Sequence, residues 1–392
     1  MSDQEKLTTE QSIDRACGKF RELLVSQQRR AEQIRHAGGF ADYKSLDKIV
    51  IGVCAGDGIG PLISEESERV LEFLLADKIR AGRVELRDIG GLTIEERAAA
   101  GKAIPDGVLA ELKKCDVILK GPTTTPHAGD GWPNIESANV MMRKELDLFA
   151  NVRPVKVPAL GIDWTFFREN TEGAYTLGSQ GINVTDELAV DFTVTTTEGS
   201  ERIARLAFEF ARRNGHGRVE IVTKANVVKT TDGKFLNICE AVAAEYPEIV
   251  WENWFVDIMA ANLVNDKRRR DFHVFVLPNL YGDILTDEAA EIQGGVGTAG
   301  SANIGKRYAM FEAIHGSGLR MVQEGRAKYA NPSSMLRATA MLLDHIGFIH
   351  ESKRLDAALD FCMFEDGKYT VTGRDTGATC GQFGEYVREN LR

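Results

Sequence analysis

From residue 48 onward, short apolar runs alternate with segments in which apolar residues recur at helical spacing. The apolar runs predict buried strands in KIVIGVC (48–54), RVELRDI (83–89) and DVILKGP (116–122). The helical spacing predicts helices between them, in PLISEESERVLEFLLADKI (61–79) and IPDGVLAELKKC (104–115). This order is typical of an α/β sheet wrapped by helices.

The pattern changes after residue 175 and then returns to the same order. Alternating polar and apolar residues in GINVTDELAVDFTVTTTEG predict a hairpin within 176–200. Further strands are predicted in GRVEIVTK and HVFVLPNL, and helices in SERIARLAFEFARRNG and FLNICEAVAAEYPEI. The C-terminal part, with PSSMLRATAMLLDHIGF and GQFGEYVRENLR, is predicted to be mainly helical.

Residues 1–47 precede this alternation and predict a separate helix. Thr8 and Gln11 have the spacing of a capping box, and Gly38-Gly39 is predicted to end the helix. One face of the helix is apolar, with Ile13, Ala16, Phe20, Leu23 and Leu24. Such a face needs a partner, either the rest of the chain or a neighbouring subunit.

Composition and charge narrow the class of protein. The chain has 392 residues, 43% of them hydrophobic, and a formal net charge of −10, which argues against nucleic acid or an anionic membrane as main partner. Six cysteines without a C-x-x-C pair favour reduced thiols. No apolar run approaches the roughly 20 residues of a membrane span, and the acidic N-terminal segment is unlike a presequence. These features predict a soluble, cytoplasmic protein.

The glycine-rich stretch AGDGIGP (55–61) follows a predicted strand and precedes a helix. A dinucleotide-binding fingerprint has that setting but needs G-x-G-x-x-G. Here the glycines are spaced G-x-G-x-G, with the charged Asp57 among them. From the residues alone, a poor pyrophosphate cradle and a simple tight turn both remain open.

Several charged side chains further along suit an active site. Asp283 and Asp287 lie four residues apart after a strand, so in a helix both carboxylates point the same way and suit a divalent cation. Arg143, Arg153 and Arg168 suit a polycarboxylate because guanidinium groups bind carboxylates bidentately. A solvated acidic pair and scattered surface arginines are the alternatives. A possible acid/base pair is formed by Tyr175 and Lys229.

Seven segments, in this order and spacing, resemble the β-decarboxylating dehydrogenase family of isocitrate and isopropylmalate dehydrogenases. The resemblance covers about residues 48–392, and its segments are AGDGIGP, KGPTTTP, SANVMMRKELDLFANVRP, FRENTEGAY, NLYGDILTDEAA, SANIG and FEAIHGSG. It implies that family's α/β fold, which is not a Rossmann fold. AGDGIGP is then a landmark beside the active-site cleft.

The resemblance also implies a division into domains. A discontinuous large cofactor-binding domain comprises 48–148 and 295–392, and a small dimer-forming domain comprises 149–175 and 201–294. The hairpin at 176–200 matches the family's dimer clasp, and 1–47 is an N-terminal helical extension. The implied assembly is a homodimer with shared active sites, with a higher oligomer through the N-terminal helix left open.

Carried over position by position, the resemblance implies these site residues. The substrate carboxylate site comprises Ser137, Asn139, Arg143, Arg153 and Arg168. Mg²⁺ or Mn²⁺ is held by Asp283, Asp287 and, from the neighbouring subunit, Asp257. Tyr175 is the catalytic acid, and Lys229 is the base from the neighbour. The cofactor site comprises Thr124, Thr125, Glu312, His315, Gly316, Ser317, Arg320 and Asn331.

The resemblance bears on substrate and cofactor as well. Ser137-Ala138-Asn139 matches the S-x-N of isocitrate enzymes and favours isocitrate, with isopropylmalate, homoisocitrate or another 2-hydroxy acid as alternatives. A non-catalytic regulatory subunit is the alternative from another class.

Arg320 stands where NAD-type members have an acid, and a cation there suits NADP⁺. Gly373 and Gly377 replace the NADP-type partners, and NAD⁺ is slightly favoured. Whether Ser137 is phosphorylated stays open.

Overall fold

A ten-stranded mixed sheet forms the centre of the molecule. The computed structural model describes residues 8–126, 129–178, 181–295 and 297–391. In those ranges the strands are β1 Ile49–Cys54, β2 Val84–Asp88, β3 Val117–Lys120, β4 Ala150–Val157, β5 Ile162–Glu169, β6 Ile182–Asn183, β7 Ala189–Val190, β8 Arg218–Thr223, β9 Val250–Phe255, β10 Val274–Leu277, β11 Gly300–Ile304 and β12 Ala309–Ala313. β6 and β7 form a separate two-stranded hairpin.

Helices cover the sheet and extend from its edges. They are α1 Thr9–His36, α2 Gly60–Leu74, α3 Ala76–Arg80, α4 Ile94–Ala100, α5 Asp106–Leu112, α6 Ala138–Glu145, α7 Thr197–Arg213, α8 Thr231–Ala243, α9 Val256–Leu263, α10 Asn279–Gln293, α11 Leu319–Gln323, α12 Ser333–His345, α13 Ile349–Asp360 and α14 Cys380–Glu389. Within the described ranges, every helix is either too short or too polar to span a lipid bilayer.

The order of strands in the sheet is β2-β1-β3-β12-β11-β4-β5-β10-β8-β9. The outer pairs are parallel, whereas β12/β11, β11/β4 and β4/β5 are antiparallel. β2, β1, β3 and β12 therefore run one way, and β5, β10, β8 and β9 run the other way. This mixed order differs from the parallel order of a Rossmann sheet. The predicted α/β fold that is not a Rossmann fold is confirmed.

Buried apolar strands explain why the sheet forms. β1 (IVIGVC) is apolar on both faces, as expected of a central parallel strand with helices on either side. On the other half of the sheet, the rings of Phe166 and Phe275 stack with centroids 4.3 Å apart, and Trp164 packs edge-on against both. The core therefore extends across both halves of one sheet.

The N-terminal helix and the hairpin were both predicted and both form. Thr8 and Gln11 make the predicted capping box at the start of α1. The helix ends at His36, two residues before the predicted glycine stop. The β6/β7 hairpin lies within the predicted clasp segment, and α7 begins at Thr197, before that segment ends. The predicted helix over 61–79 is divided into α2 and α3 at Leu75.

Candidate active site

The carboxylate of Asp57 is used entirely within the protein. It accepts hydrogen bonds from the backbone N–H of Ile94 (2.8 Å) and of Thr124 (2.7 Å), and it lies 3.6 Å from the Arg97 guanidinium. Both members of this ion pair are buried. The buried charge of Asp57 is therefore bound by Arg97 and by backbone N–H groups of the protein. AGDGIGP is a structural turn and not a cradle for pyrophosphate.

The same turn brings two predicted cofactor segments together. Gly58 has φ +61°, and a side chain there would collide with the carbonyl oxygen of Ser317. The Ile59 N–H donates to that carbonyl at 2.9 Å, and the hydroxyls of Thr124 and Ser317 are hydrogen-bonded at 2.8 Å. AGDGIGP therefore fixes the distance between the Thr124 loop and the Ser317 loop.

Two carboxylates and two arginines meet at the start of α10. Asp283 and Asp287 lie one helical turn apart, with 36% and 64% of their side chains exposed. The Arg153 guanidinium is 3.0 Å from Asp287 and 3.7 Å from Asp283. Arg168 forms an ion pair with Asp283. Gly282 allows this approach, since a Cβ there would lie 2.6 Å from Cγ of Arg168.

Three arginines gather on the inner side of these carboxylates. Burial, and then the charge of Arg143, lower the pKa of Arg168 to about 9, so it remains protonated at neutral pH. The buried Nε atoms of Arg143 and Arg153 are without a hydrogen-bond partner in the described ranges. Buried guanidinium donors without partners suit a ligand that brings several carboxylate oxygens.

Glu312 is a buried carboxylate that pairs with one of the three arginines, Arg143. It is 5% exposed and lies 3.4 Å from Lys120 and 3.5 Å from Arg143, and it accepts a 2.8 Å hydrogen bond from Asn303. Burial opposes its negative charge, but the attraction of Lys120 and Arg143 outweighs this and lowers the pKa of Glu312. The structure thus places Glu312, a predicted cofactor residue, in contact with Arg143, a predicted substrate residue.

The first turn of α6 carries two polar side chains, Ser137 and Asn139. Ser137 is the N-cap residue of α6, and its side chain makes no capping hydrogen bond to the described backbone. Thr123 donates its hydroxyl hydrogen to Oδ1 of Asn139 at 3.1 Å. This leaves the Asn139 amide nitrogen as a donor for another acceptor. Hydroxyl, amide and helix N-terminus together suit an anionic group.

Tyr175 contacts the same acidic residue as Arg168. Its hydroxyl donates to Oδ2 of Asp283 at 2.9 Å, and the Arg168 guanidinium lies over its ring at 5.7 Å. Burial, and then the negative charge and hydrogen bond of Asp283, raise the pKa of Tyr175. The phenol is therefore protonated at neutral pH and has a proton to give.

The structure brings Asp257 together with a lysine that the sequence analysis missed. Nζ of Lys224 lies 2.5 Å from Oδ1 of Asp257, and this pairing lowers the pKa of Asp257. Lys229, the predicted base, is exposed five residues further along. Lys224 directly follows β8 and α9 directly follows β9, so the pairing of these two strands in the sheet brings Lys224 to Asp257.

The described residues include no group of three His, Cys, Asp or Glu side chains arranged to hold a metal ion. Asp283 and Asp287 supply two oxygen ligands that suit a hard divalent cation. Asp257, 59% exposed and on a different helix, is not joined to them within the chain. The described residues of one chain therefore do not bring Asp257, Asp283 and Asp287 together into one site.

The remaining predicted cofactor residues border the Ser317 loop. Nδ1 of His315 donates to the Gly316 carbonyl at 3.0 Å, and burial lowers the pKa of the ring, so it is neutral at neutral pH. Arg320 is 86% exposed and pairs with Glu324 at 2.7 Å. Asn331 accepts from the Ser333 N–H at 2.9 Å. Thr125 and Gly316 are exposed. An exposed loop with a neutral ring and small residues fits a nucleotide.

Comparisons with known proteins agree on one family. The family model for isocitrate/isopropylmalate dehydrogenase matches residues 50–387. A 3-isopropylmalate dehydrogenase from Archaeoglobus fulgidus is 38% identical, covering 83% of this chain and 94% of the relative. The alpha subunit of the mitochondrial NAD isocitrate dehydrogenase from Macaca fascicularis is 35% identical, covering 86% of this chain and 94% of the relative.

A solved structure gives the same result for the fold. The isocitrate dehydrogenase from Methylococcus capsulatus superposes with a TM-score of 0.75 at 34% identity, covering 88% of this chain and 99% of that chain. The resemblance inferred from seven sequence segments is therefore confirmed. The chain belongs to the isocitrate/isopropylmalate dehydrogenase family.

Proposed function

We propose that this protein catalyses the metal-dependent oxidative decarboxylation of isocitrate to 2-oxoglutarate and CO₂, with reduction of NAD⁺. The observation that carries the choice of substrate is the first turn of α6, where Ser137 and the amide nitrogen of Asn139 lie ahead of Arg143. Isocitrate carries a carboxylate arm where isopropylmalate carries its isopropyl group, and these polar groups suit the carboxylate.

Isopropylmalate fits this turn less well. Its isopropyl group would leave the Ser137 hydroxyl and the Asn139 amide without partners, and unpaired polar groups in a binding site discriminate strongly. Met141 and Met142 add apolar surface to the same helix, and Met142 is buried in the core. Isopropylmalate, homoisocitrate and other 2-hydroxy acids are therefore outcomes of the test and not the proposal.

Arg143, Arg153 and Arg168 bind and orient the substrate carboxylates, because their buried guanidinium groups form one cationic surface. Asp283, Asp287 and Asp257 of a second copy would hold a divalent cation, Mg²⁺ or Mn²⁺, which would lower the pKa of the substrate hydroxyl and polarise the carbonyl formed from it. Arg168 and Tyr175 both contact Asp283, which places a substrate-binding cation and a proton donor beside the proposed metal ligands.

Lys224 takes the proton of the substrate hydroxyl, and Tyr175 returns a proton to the enol carbon after CO₂ has left. We propose Lys224 in place of Lys229 because it is paired with Asp257. If Asp257 enters the site of a second copy, Lys224 enters with it. Tyr175 suits the role of the acid because its protonated hydroxyl lies 2.9 Å from Asp283, beside the proposed metal ligands.

NAD⁺ is the proposed hydride acceptor, bound along the loop from His315 to Asn331. Glu324 is held between Arg320 and Arg326, and Nη1 of Arg326 donates to the carbonyl of Gly373 at 2.6 Å. This arrangement keeps an acid available for ribose hydroxyls one turn after Arg320. NADP⁺ is the second candidate, since Arg320 is an exposed cation that suits a 2′-phosphate.

The shared site requires a homodimer, which we propose as the minimal catalytic unit in the cytoplasm. In this proposal the large domain (48–148 and 295–392) carries the cofactor loop, and the small domain (149–175 and 201–294) carries Lys224 and Asp257. The 176–200 hairpin clasps the two copies.

The substrate assignment is tested with the double variant Ser137→Ala/Asn139→Leu. The ratio of kcat/KM for isocitrate to that for isopropylmalate should fall by about a hundredfold or more. Asn134→Ala, an exposed asparagine in the preceding loop, is the matched control and should leave the ratio unchanged. An unchanged ratio in the double variant would contradict the role of this turn. A protein inactive on every 2-hydroxy acid would favour the regulatory-subunit alternative.

A further inference from the structure

The N-terminal helix contacts the loop that joins Arg168 to Tyr175. Arg30 of α1 donates from Nη1 to Oε1 of Glu172 and from Nη2 to the hydroxyl oxygen of Thr171, both at 2.6 Å. The family model matches from residue 50, so Arg30 lies outside the matched region. One residue of the extension therefore holds two residues of the active-site loop.

Arg30 neutralises a pair of buried carboxylates in this loop. Glu169 and Glu172 are each 3% exposed, and Oε2 of Glu169 accepts from the Glu172 N–H at 2.7 Å. Burial and the charge of Glu172 raise the pKa of Glu169, whereas Arg30 and Arg202 act in the opposite direction. Arg202 is shared, because it also binds both carboxylate oxygens of Asp147, at 2.7 and 2.9 Å. Arg30 is thus the cation directed at Glu172.

Hydrogen bonds connect Glu172 to the active site. Asn279 donates from Nδ2 to the backbone carbonyl of Glu172 at 2.9 Å. Oδ1 of the same side chain accepts from Nε and Nη2 of Arg168, at 3.0 and 2.6 Å. Tyr175 follows Glu172 by three residues. A shift of Glu172 therefore moves the support of Arg168 and the backbone that leads to Tyr175.

Other contacts fix α1 in the position that this role needs. Arg15 donates to the carbonyl of Asn183 at 3.0 Å, and the Phe20 ring stacks on Phe192 at 4.6 Å. Arg35 pairs with Glu198 at 2.6 Å, in the first turn of α7. Glu172 also accepts from the N–H of Thr196, at the N-terminus of α7, at 2.8 Å. The helix is attached to the hairpin segment and to α7 on both sides of Arg30.

We propose that Arg30 is a positioning residue for the reaction, which holds Glu172 so that Arg168 and Tyr175 keep their places. The proposal rests on the proposed function of these two residues. It predicts that the effect of Arg30 falls on the acid substrate and on turnover. The cofactor loop is held by Asp57 and Ser317, which Arg30 does not contact.

The test compares Arg30→Ala with Arg29→Ala in the full-length protein. Arg29 is the exposed neighbour on the same helix and is the matched control. Arg30→Ala should lower kcat/KM for the acid substrate by about tenfold to a hundredfold, with KM for the cofactor unchanged. Arg30→Lys should recover part of the loss, since it restores the charge but not the two-pronged contact.

A second variant separates positioning from loss of folding. Adding Glu169→Gln to Arg30→Met removes one buried negative charge together with the cation, and should regain activity relative to Arg30→Met alone. The activity of Arg30→Met, relative to wild type at the same pH, should also rise at acid pH, where Glu169 takes up a proton. The charged groups that face Glu169 are Glu172, Arg30 and Arg202. Wild-type kinetics in Arg30→Ala, or equal losses for acid and cofactor, would overturn the proposal.

Hydrogen exchange of the peptides covering 169–178 and 194–200 makes the result independent of the proposed function. Arg30→Ala should exchange faster there than wild type or Arg29→Ala, because the loop at Glu172 loses its contact with Arg30 and the Thr196 N–H loses the fixed Glu172 carboxylate as its acceptor. Faster exchange in a protein that turns over none of the tested acids would retain the structural link and reject only the proposed reaction. Unchanged exchange would reject the link itself.

Discussion

Tyr175 donates its phenolic hydrogen to Oδ2 of Asp283 over 2.9 Å. Oδ1 of the same carboxylate is held by Arg168. The proposed acid, a proposed substrate ligand and a proposed metal ligand therefore meet on one side chain. Burial is the largest cause of the raised pKa of Tyr175, and the negative charge of Asp283 at hydrogen-bond distance is the next.

Tyr175→Phe tests the proton donor. The change removes one hydroxyl and keeps the ring, so substrate KM should change little while kcat falls by about a hundredfold to ten-thousandfold. Steady-state kinetics with the acid as varied substrate measure both. Tyr308→Phe, which removes a hydroxyl that donates to the Lys113 carbonyl, is the control and should behave as wild type. Turnover at the wild-type rate in Tyr175→Phe would show that another group supplies the proton.

Lys224→Met and Lys229→Met separate the two lysines. Lys224→Met should lower kcat by about a hundredfold or more, because it removes the proposed base. Lys229→Met should keep most of the activity, since that residue is exposed and lies apart from the Lys224–Asp257 pair. The reverse result would restore Lys229 as the base.

Mixing two inactive variants tests whether the lysine comes from a neighbour. In a dimer with shared sites, a Tyr175→Phe chain combined with a Lys224→Met chain forms one intact site. Mixed and reassociated chains should then recover about a quarter of the wild-type activity. If both residues act within one chain, mixing restores nothing.

Asp57→Ala tests the role of the glycine-rich turn. The change leaves Arg97 buried without its ion-pair partner and the N–H groups of Ile94 and Thr124 without an acceptor. The free energy of unfolding should fall by about 3 to 5 kcal/mol in urea titrations. Asp77→Ala, at a side chain that is 95% exposed, should change it by less than about 0.5 kcal/mol. Equal stability of the two variants would contradict the structural role.

His345 predicts a loss of stability in acid. Burial lowers its pKa from 6.5 to about 4, and its Nε2 lies 3.1 Å from the Tyr43 hydroxyl. Below pH 6.5 the unfolded chain binds a proton that the folded protein does not bind until about pH 4. This contribution is therefore complete above pH 6.5 and lost as the pH falls towards 4, by at most about 3 kcal/mol.

The measurement compares urea unfolding of wild type and His345→Gln at several pH values in that range. Stability of the variant should fall less steeply with decreasing pH. His36→Gln, at an exposed histidine on α1, should follow wild type. Parallel curves for wild type and His345→Gln would show that the histidine titrates normally in the folded protein.

Helices and strands were predicted well where the apolar residues follow one clear pattern, either a continuous run or helical spacing. β1 is an unbroken apolar run, β3 is apolar up to Lys120, and α7 has a clear helical face, so all three were predicted. β4 and β5 were not predicted as strands, although they make the longest pair in the sheet. Each carries a buried arginine, Arg153 or Arg168, and β4 carries Pro154 as well. These buried arginines, which belong to the proposed active site, interrupt the apolar pattern by which a strand is predicted.

In the candidate site, the sequence predicted individual residues better than the contacts between distant ones. Motifs identified Arg153, Arg168, Tyr175, Asp283 and Asp287, which the structure brings together. The buried ion pairs of Glu312 and the Lys224–Asp257 contact depend on how separate strands meet, and spacing along the chain does not encode that. Arg30 is the extreme case, since its partners Thr171 and Glu172 lie more than 140 residues away.

The most direct test of the proposed reaction is turnover by the purified protein with Mn²⁺, followed through the absorbance of the reduced cofactor. Isocitrate and isopropylmalate are each combined with NAD⁺ and with NADP⁺. The account predicts turnover of isocitrate, faster with NAD⁺, with one CO₂ and one 2-oxoglutarate formed per reduced cofactor. Turnover of isopropylmalate alone would contradict the assignment of Ser137 and Asn139, and turnover of neither acid would contradict the proposed reaction.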